Sequence, residues 1–383
     1  MKILWVNPSF LDYRIPVYKK LFELTNGDFF LIYSKKRVPD RVIIKIENAI
    51  GDHAIGMSNE VVLDIPGKDE FANTDYKLPY QPNLYNTISK INADIIIGEG
   101  FFQWTPLALI NAKLNQKKFI LAYERTFHTE RNCPKWRILY RKLVSKFTDG
   151  YIANGQLTKE YLMHLGVNEQ KIQIGCMSAD SENLVKSISS FTIKEEETLK
   201  SHLSIENGLT FLYIGKINER KGVIHLLNAW KKHIEKYEND SLIVIGTGPL
   251  YKQYARIFFE CKSINLVGDV DYDTIYRFYS IADVFVMPTL EDNWSLVVPE
   301  AMACGLPIAC SIYNGCYPEL VKEGINGKLF DPLKEETIIE TLKYFHNKDL
   351  KLMGKESIKI ENKYSAHIVS QNIFSECKRI TNT

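Results

Sequence analysis

The stretch DVFVMPTLEDNWSLVVPEAMACGLPIACS, residues 283–311, sets a buried strand, a polar loop, a short helix and a second buried strand in one line. Val284 to Met287 are consecutively apolar, so both faces of that strand must be covered, which is the habit of a parallel sheet between helix layers. Pro299 suits the first turn of a helix and starts PEAMAC, and Gly305 and Pro307 stop it before LPIACS. The expectation is a strand–loop–helix–strand unit with two acids, Asp292 and Glu300, at the two ends of its loop and helix start.

The same rhythm extends in both directions. Upstream, LTFLYIG, SLIVIG and INLVG read as further buried strands, with KGVIHLLNAWKKHIEKY as a helix between the first two. Near the amino terminus KILWV, DFFLIYS, DIIIG, FILAY and DGYIANG alternate with amphipathic segments such as PVYKKLFEL and LYNTISKI. Strands alternating with helices throughout predict an α/β chain with two Rossmann-like, doubly wound parallel sheets. The polar stretch 183–206 lacks a buried strand and is the expected linker. Residues 1–205 then form one domain and 206–364 a second, and a helix over 365–383 presents Ile368, Ile373 and Phe374 as a docking face toward the first. Sheets of this kind bind ligands beyond the carboxyl ends of their strands, so a cleft between the two halves is the expected site.

At 383 residues the chain exceeds one typical core, and its 45% hydrophobic and 25% charged residues are ordinary for a globular protein. A net charge of +2 does not argue for nucleic acid. Apolar runs are of strand length, so none spans a bilayer, and the opening MKILWVNPSF reads as a first strand without an export signal. Cys133, Cys176, Cys261, Cys304, Cys310, Cys316 and Cys377 are odd in number and never spaced as a pair around two residues. Small buried thiols in a reducing cytosol are expected, with neither a disulfide framework nor a zinc site.

Four stations carry chemistry. In YIGKINERKGV a strand ends at Gly215, Lys216, Arg220 and Lys221 follow, and Gly222 opens a helix. Cations beside a helix start suit a diphosphate, although a solvated basic turn has the same composition. In VIGTGPL, Gly246 and Gly248 allow close backbone approach, yet Tyr251 stands where the dinucleotide fingerprint needs a third glycine. Asp269, Asp271 and Asp273 suggest a metal motif, but the last two precede a helical pattern and read as caps. In the opening stretch the N–H groups of Ser295, Leu296 and Val297 are expected to point at a bound ligand. Glu300 has the geometry to accept from two adjacent ribose hydroxyls, and Asp292 to hold a sugar ring; a capping acid and a surface acid are the plainer alternatives.

In this order and spacing the stations resemble retaining nucleotide-sugar glycosyltransferases of family 4, which have the two-domain GT-B fold. The family's acid-x7-acid motif followed by E-A-M-A-x-G-x-P is matched by Asp292 to Pro307, and the likeness runs from about 210 to 335, including GINGKLFDP. The first acid is usually Glu; here Asp292 fills the register, with Glu291 adjacent. The phosphate element is matched by Gly215, Lys216 and Lys221, with Lys216 where Arg is usual. The resemblance implies that Lys216 and Lys221 meet the diphosphate, Glu300 the ribose and the backbone near Val270 the base. Gly246 and Gly248 would line the site. It implies a nucleotide-sugar donor, UDP-linked in preference to GDP-linked, no cofactor and no metal.

The loops after the amino-terminal strands would serve the acceptor, a glycan or lipid-linked hydroxyl. Asp12, Tyr13 and Arg14 are the candidates in NPSFLDYRIP, which lacks the glycine pair frequent in the family. In FILAYERTFHTER, His128 or Glu124 is the candidate beside the reacting anomeric carbon. The next segment, 131–147, holds six basic residues and no acid, with Trp136, Leu139, Tyr140, Leu143 and Phe147 on one helical face. That pattern suits either a core-facing helix or the anionic inner surface of a membrane, and nucleic acid is not expected. A non-catalytic nucleotide-sugar binder and another Rossmann-type enzyme, such as an oxidoreductase, are the alternatives.

Overall fold

The computed structural model describes residues 1–65, 67, 70–74, 76–175 and 177–382, so Cys176 lies outside the described residues. It divides into two compact units, Met1–Asp180 with Tyr364–Thr383, and Ser181–Lys363.

The first unit holds β1 (Ile3–Val6), β2 (Phe29–Ser34), β3 (Ala54–Met57), β4 (Val61–Ile65), β5 (Tyr76–Tyr80), β6 (Ile95–Glu99), β7 (Lys118–Tyr123), β8 (Gly150–Ala153) and β9 (Ile172–Ile174). Seven of these make a parallel sheet in the order β3-β2-β1-β6-β7-β8-β9, while β4 and β5 form a separate antiparallel hairpin. The pleat explains the continuous apolar runs. Ile3 and Trp5 of β1, with Ile95 and Ile97 of β6, enter the core on one face, and Leu4, Val6 and Ile96 enter the core on the other. The helix Ala366–Thr381 packs on the helix Ile15–Leu24, inserting Val369, Ile373, Cys377 and Ile380. Ile373 is buried as the sequence suggests; Phe374 is partly buried against that core and Ile368 is half-exposed.

The second unit holds β10 (Thr210–Ile214), β11 (Ser241–Ile245), β12 (Ile264–Gly268), β13 (Val284–Met287), β14 (Ile308–Ser311) and β15 (Gly327–Phe330). All pair in parallel, in the order β12-β11-β10-β13-β14-β15. The winding reverses between β10 and β13, the point where such sheets open a crevice at their carboxyl ends. The helix Val223–His233 buries Val223, Leu226, Leu227 and Trp230, spaced i, i+3, i+4 and i+7. Each such side chain contributes roughly 1.5–3 kcal/mol by leaving water.

Two details depart from the sequence reading. Residues 183–206 do not form an open linker. They make the helices Ser181–Ser189 and Ile193–His202, the second started by a reciprocal Thr192–Glu195 cap. The first packs on the helices Tyr276–Ile281 and Val297–Ala303, so the unit boundary falls at 180/181 and not at 205/206. Secondly, the helix Lys135–Ser145 buries Arg141 and Val144, while Trp136, Leu139 and Leu143 face solvent. Tyr140 of the same expected stripe is partly buried against the core that takes Val144, so the helix turns part of the stripe inward and the rest to solvent.

Candidate functional site

At the reversal point of the second sheet, the loop after β10 and the loop after β13 are bonded to each other. Leu290 N–H donates to the Arg220 carbonyl at 2.9 Å, and the Thr289 hydroxyl donates to the same oxygen at 3.2 Å. Gly222 opens its helix at φ +65, and a Cβ there would lie 2.2 Å from the Pro288 carbonyl oxygen. Only glycine fits between the two loops. Across this junction the Lys221 ammonium pairs with the Asp292 carboxylate, both side chains being largely buried. Asn218 fixes the lysine's backbone by accepting the Lys221 N–H at 3.0 Å.

Asp292 organises its own loop. One carboxylate oxygen accepts from Lys221 and, at 2.6 Å, from the Ser295 hydroxyl, and the other accepts the Trp294 N–H at 3.2 Å. Burial opposes its charge, but Lys221, Ser295 and Arg220 together hold the carboxyl below the usual carboxylate range. Its neighbour Glu291 is only 2% exposed. Asp292 is thus the acid paired with Lys221 of the first station.

The helix after this loop runs Val297–Ala303, beginning two residues before the Pro299 expected at its head. Ser295 N–H donates to Asn314 Oδ1 at 3.3 Å, so of the three N–H groups expected to face a ligand, one is already engaged. Asn314, which the sequence reading passed over, is 1% exposed, and its Nδ2 has no partner among the described residues. Glu300, 5% exposed, accepts from two phenols, Tyr272 at 3.1 Å and Tyr279 at 3.0 Å. Burial and the nearby Glu300 push the Tyr279 phenol well above its ordinary range, which keeps it a donor. Neither tyrosine stands out in the sequence, because each lies within an ordinary helix-start pattern.

Beside this cluster, at the carboxyl ends of β10, β11 and β12, lies a cavity of about 450 Å³. Gly215, Lys216, Gly246, Gly248, Asp269 and Val270 line it, bringing five of the expected residues together. Gly246 is required by the backbone itself: at φ +126, a Cβ would meet the Gly215 carbonyl oxygen at 2.0 Å. Tyr272 links the two parts of the site, standing two residues after Val270 and reaching Glu300. Lys221, Asp292, Ser295 to Val297 and Glu300 do not line this cavity. Asp271 stands at the start of a short 3-10 turn and accepts the Thr274 N–H and hydroxyl through its backbone carbonyl, but its carboxylate makes no capping bond there.

Among the described residues one His/Asp group has its ligating atoms close together. His233 and His346 each place Nε2 2.8 Å from the same Asp240 oxygen. This triad joins the end of the helix Val223–His233 to the turn after the helix Glu335–Phe345. The six described cysteines are all free thiols.

In the first unit, Arg14 is 3% exposed and donates to Glu99 at 3.1 Å, while Trp5 Nε1 donates to the other Glu99 oxygen at 2.9 Å. Burial raises the Glu99 carboxyl, opposed by Arg14, and burial pushes the Tyr13 phenol up to about 12, with Glu124 and Glu99 adding to it. Tyr13, Arg14, Glu99 and Glu124 thus share one electrostatic neighbourhood at the ends of β1, β6 and β7. Glu99 is the member that sequence reading missed; as the last residue of a buried strand it resembles a strand terminus. Asp12 is drawn elsewhere, pairing with Arg41 at 2.8 Å and Lys45 at 3.0 Å. His128 lies on the next turn, its carbonyl accepting from Arg131 at 2.6 Å.

The family described as Glycosyl transferases group 1 matches residues 194–361. The alpha-monoglucosyldiacylglycerol synthase of Acholeplasma laidlawii is 29% identical over 158 residues, 40% of this chain and 39% of the relative. The lipopolysaccharide 1,2-N-acetylglucosaminetransferase of Salmonella typhimurium is 29% identical over 160 residues, 38% of this chain and 42% of the relative. The aligned stretch thus spans about two fifths of these curated relatives. Among solved structures, the UDP complex of Anabaena Alr3699/HepE aligns with a TM-score of 0.74 at 14% identity, covering 99% of this chain and all of the other. The likeness shows the GT-B fold, two Rossmann-like units in one chain.

Proposed function

We propose that this chain is a glycosyltransferase that moves a sugar from a nucleotide-diphosphate donor, UDP-linked, to an acceptor hydroxyl with retention of anomeric configuration. The observation that carries the reading is the pair of zipped loops at the reversal point of the second sheet, where Lys221 and Asp292 meet beside the cavity holding Lys216, Gly246 and Val270. The base would sit against Val270, the ribose against Glu300 and the diphosphate against Lys216 and Lys221. Negative charge grows on the diphosphate as the sugar departs, and fixed cations there lower the barrier without reorganisation. Tyr13, Arg14, Glu99 and Glu124 would position the acceptor, with His128 as a further candidate near the anomeric carbon. No side chain is assigned as a covalent nucleophile; the leaving phosphate would take the acceptor proton on the front face. The match to the group 1 family over the donor-side unit and the UDP-bound structural neighbour support this reading. Relatives named for a diacylglycerol glycolipid and a lipopolysaccharide support a lipid-linked or glycan-precursor acceptor.

A thermal-shift series with UDP, GDP and ADP, followed by NMR of the anomeric proton in the product, tests it. Stabilisation by UDP in proportion to occupancy and a product of unchanged configuration are expected. Tight binding without turnover of any donor would leave a binding protein, and an inverted product would remove the front-face step.

A further inference from the structure

The helix Lys135–Ser145 buries Val144 and Arg141 yet leaves most of an apolar stripe in solvent. Trp136, Leu139, Leu143 and, just past its end, Phe147 are 51%, 70%, 54% and 52% exposed. At 3.6 residues per turn these four fall within an arc of about 80°. The opposite face is locked inward by a charge. Arg141 makes two bonds to Glu130, at 2.6 and 3.0 Å, and a third to the Tyr161 hydroxyl at 2.9 Å. Rolling the apolar stripe into the core would pull that guanidinium from its partner and leave Glu130 buried against Arg125 and Asn73 alone. The exposure of the stripe is therefore built in.

Charge follows the same geometry. Lys135, Lys142 and Lys146, spaced i, i+7 and i+11, form an exposed row along one border of the stripe and make no ion pair among the described residues. No acidic residue occurs from 131 to 148. The helix Thr105–Leu114 packs into the same core cluster and leaves Ile110 and Leu114 50% and 70% exposed. A second copy of the chain would bring three more lysines against the three present, so self-association is disfavoured by charge. Exposed Trp, Leu and Phe beside a row of lysines match an anionic bilayer surface, where aromatic and aliphatic side chains enter the headgroup boundary and ammonium groups meet phosphates. We infer that this face of the first unit docks the protein on anionic phospholipid, independently of the donor reading.

The test is co-sedimentation of the full chain with phosphatidylcholine vesicles, with and without phosphatidylglycerol. Binding only to the anionic vesicles, weakened by salt, is expected. Lys135→Gln, Lys142→Gln and Lys146→Gln combined should lower partitioning on the order of 100-fold. Leu139→Ser with Leu143→Ser should lower it while salt dependence persists, and both variants should keep the wild-type melting temperature. Equal binding to neutral vesicles, no binding at all, or full binding by the lysine variant would overturn the proposal. So would concentration-dependent dimerisation that Leu139→Ser abolishes, because it would give the stripe to a second copy.

Discussion

Lys221 and Asp292 lie 71 residues apart in sequence and form one ion pair across the reversal point of the second sheet. The lysine comes from the loop after β10 and the acid from the loop after β13, so the pair joins the two halves of the winding. The pair holds the Asp292 loop against the loop after β10, and in the proposed function it also presents a cation to the diphosphate.

Removing one partner leaves the other charge buried. Lys221→Met should cost about 3 kcal/mol of stability, and Asp292→Asn less, because a neutral amide still accepts from Ser295. The double variant should recover part of the loss, a coupling readable from urea melts of the four proteins. Additive losses would show that the pair contributes nothing of its own.

Tyr279→Phe removes a buried donor to a carboxylate, a bond worth about 1.5–3 kcal/mol. The expected outcome is a donor KM raised about tenfold with kcat less affected, because the hydroxyl acts through Glu300. Tyr272→Phe should do the same more weakly, its side chain being only half-buried. Steady-state kinetics against donor concentration distinguishes the two constants, and an unchanged KM in both variants would detach the tyrosines from donor binding.

Gly246→Ala should destabilise the second unit by at least about 2 kcal/mol, since the methyl meets a backbone carbonyl and the positive φ disfavours any side chain. Calorimetry of the full chain provides the measurement.

Acid should act through Asp292. Its folded carboxyl titrates below the unfolded value of about 3.9, so its stabilisation is complete above that pH and fades as pH falls through the lower folded value. The stability gap between wild type and Asp292→Asn should therefore narrow below about pH 4 and stay flat above it.

Much of the second unit could be read from residues 209–311, because β10, β11, β13 and β14 are short runs buried along their whole length and the loops after β10 and β11 carry glycines, Gly222, Gly246 and Gly248, placed by backbone contact. The first unit was less open. Its β3 strand, AIGM, is too short and mixed to show a period, and the β4–β5 hairpin stands outside the parallel rhythm. The helix at 135–145 showed its stripe but not its direction, since what turns the stripe outward is Glu130 capturing Arg141, a tertiary contact with no local signature. Glu99, Asn314, Tyr272 and Tyr279 were missed for the same reason: each becomes notable only through a partner distant in sequence.

The central claim is that the Lys221 side of the second unit binds the diphosphate of a nucleotide-sugar. Isothermal titration of UDP into wild type and Lys221→Met, each shown to be folded under the conditions used, tests it most directly. A Kd weakened on the order of 100-fold in the variant is predicted, consistent with loss of a charge-assisted contact of about 1.5–3 kcal/mol together with the loosened Asp292 loop. Equal affinity in the two proteins would contradict the account.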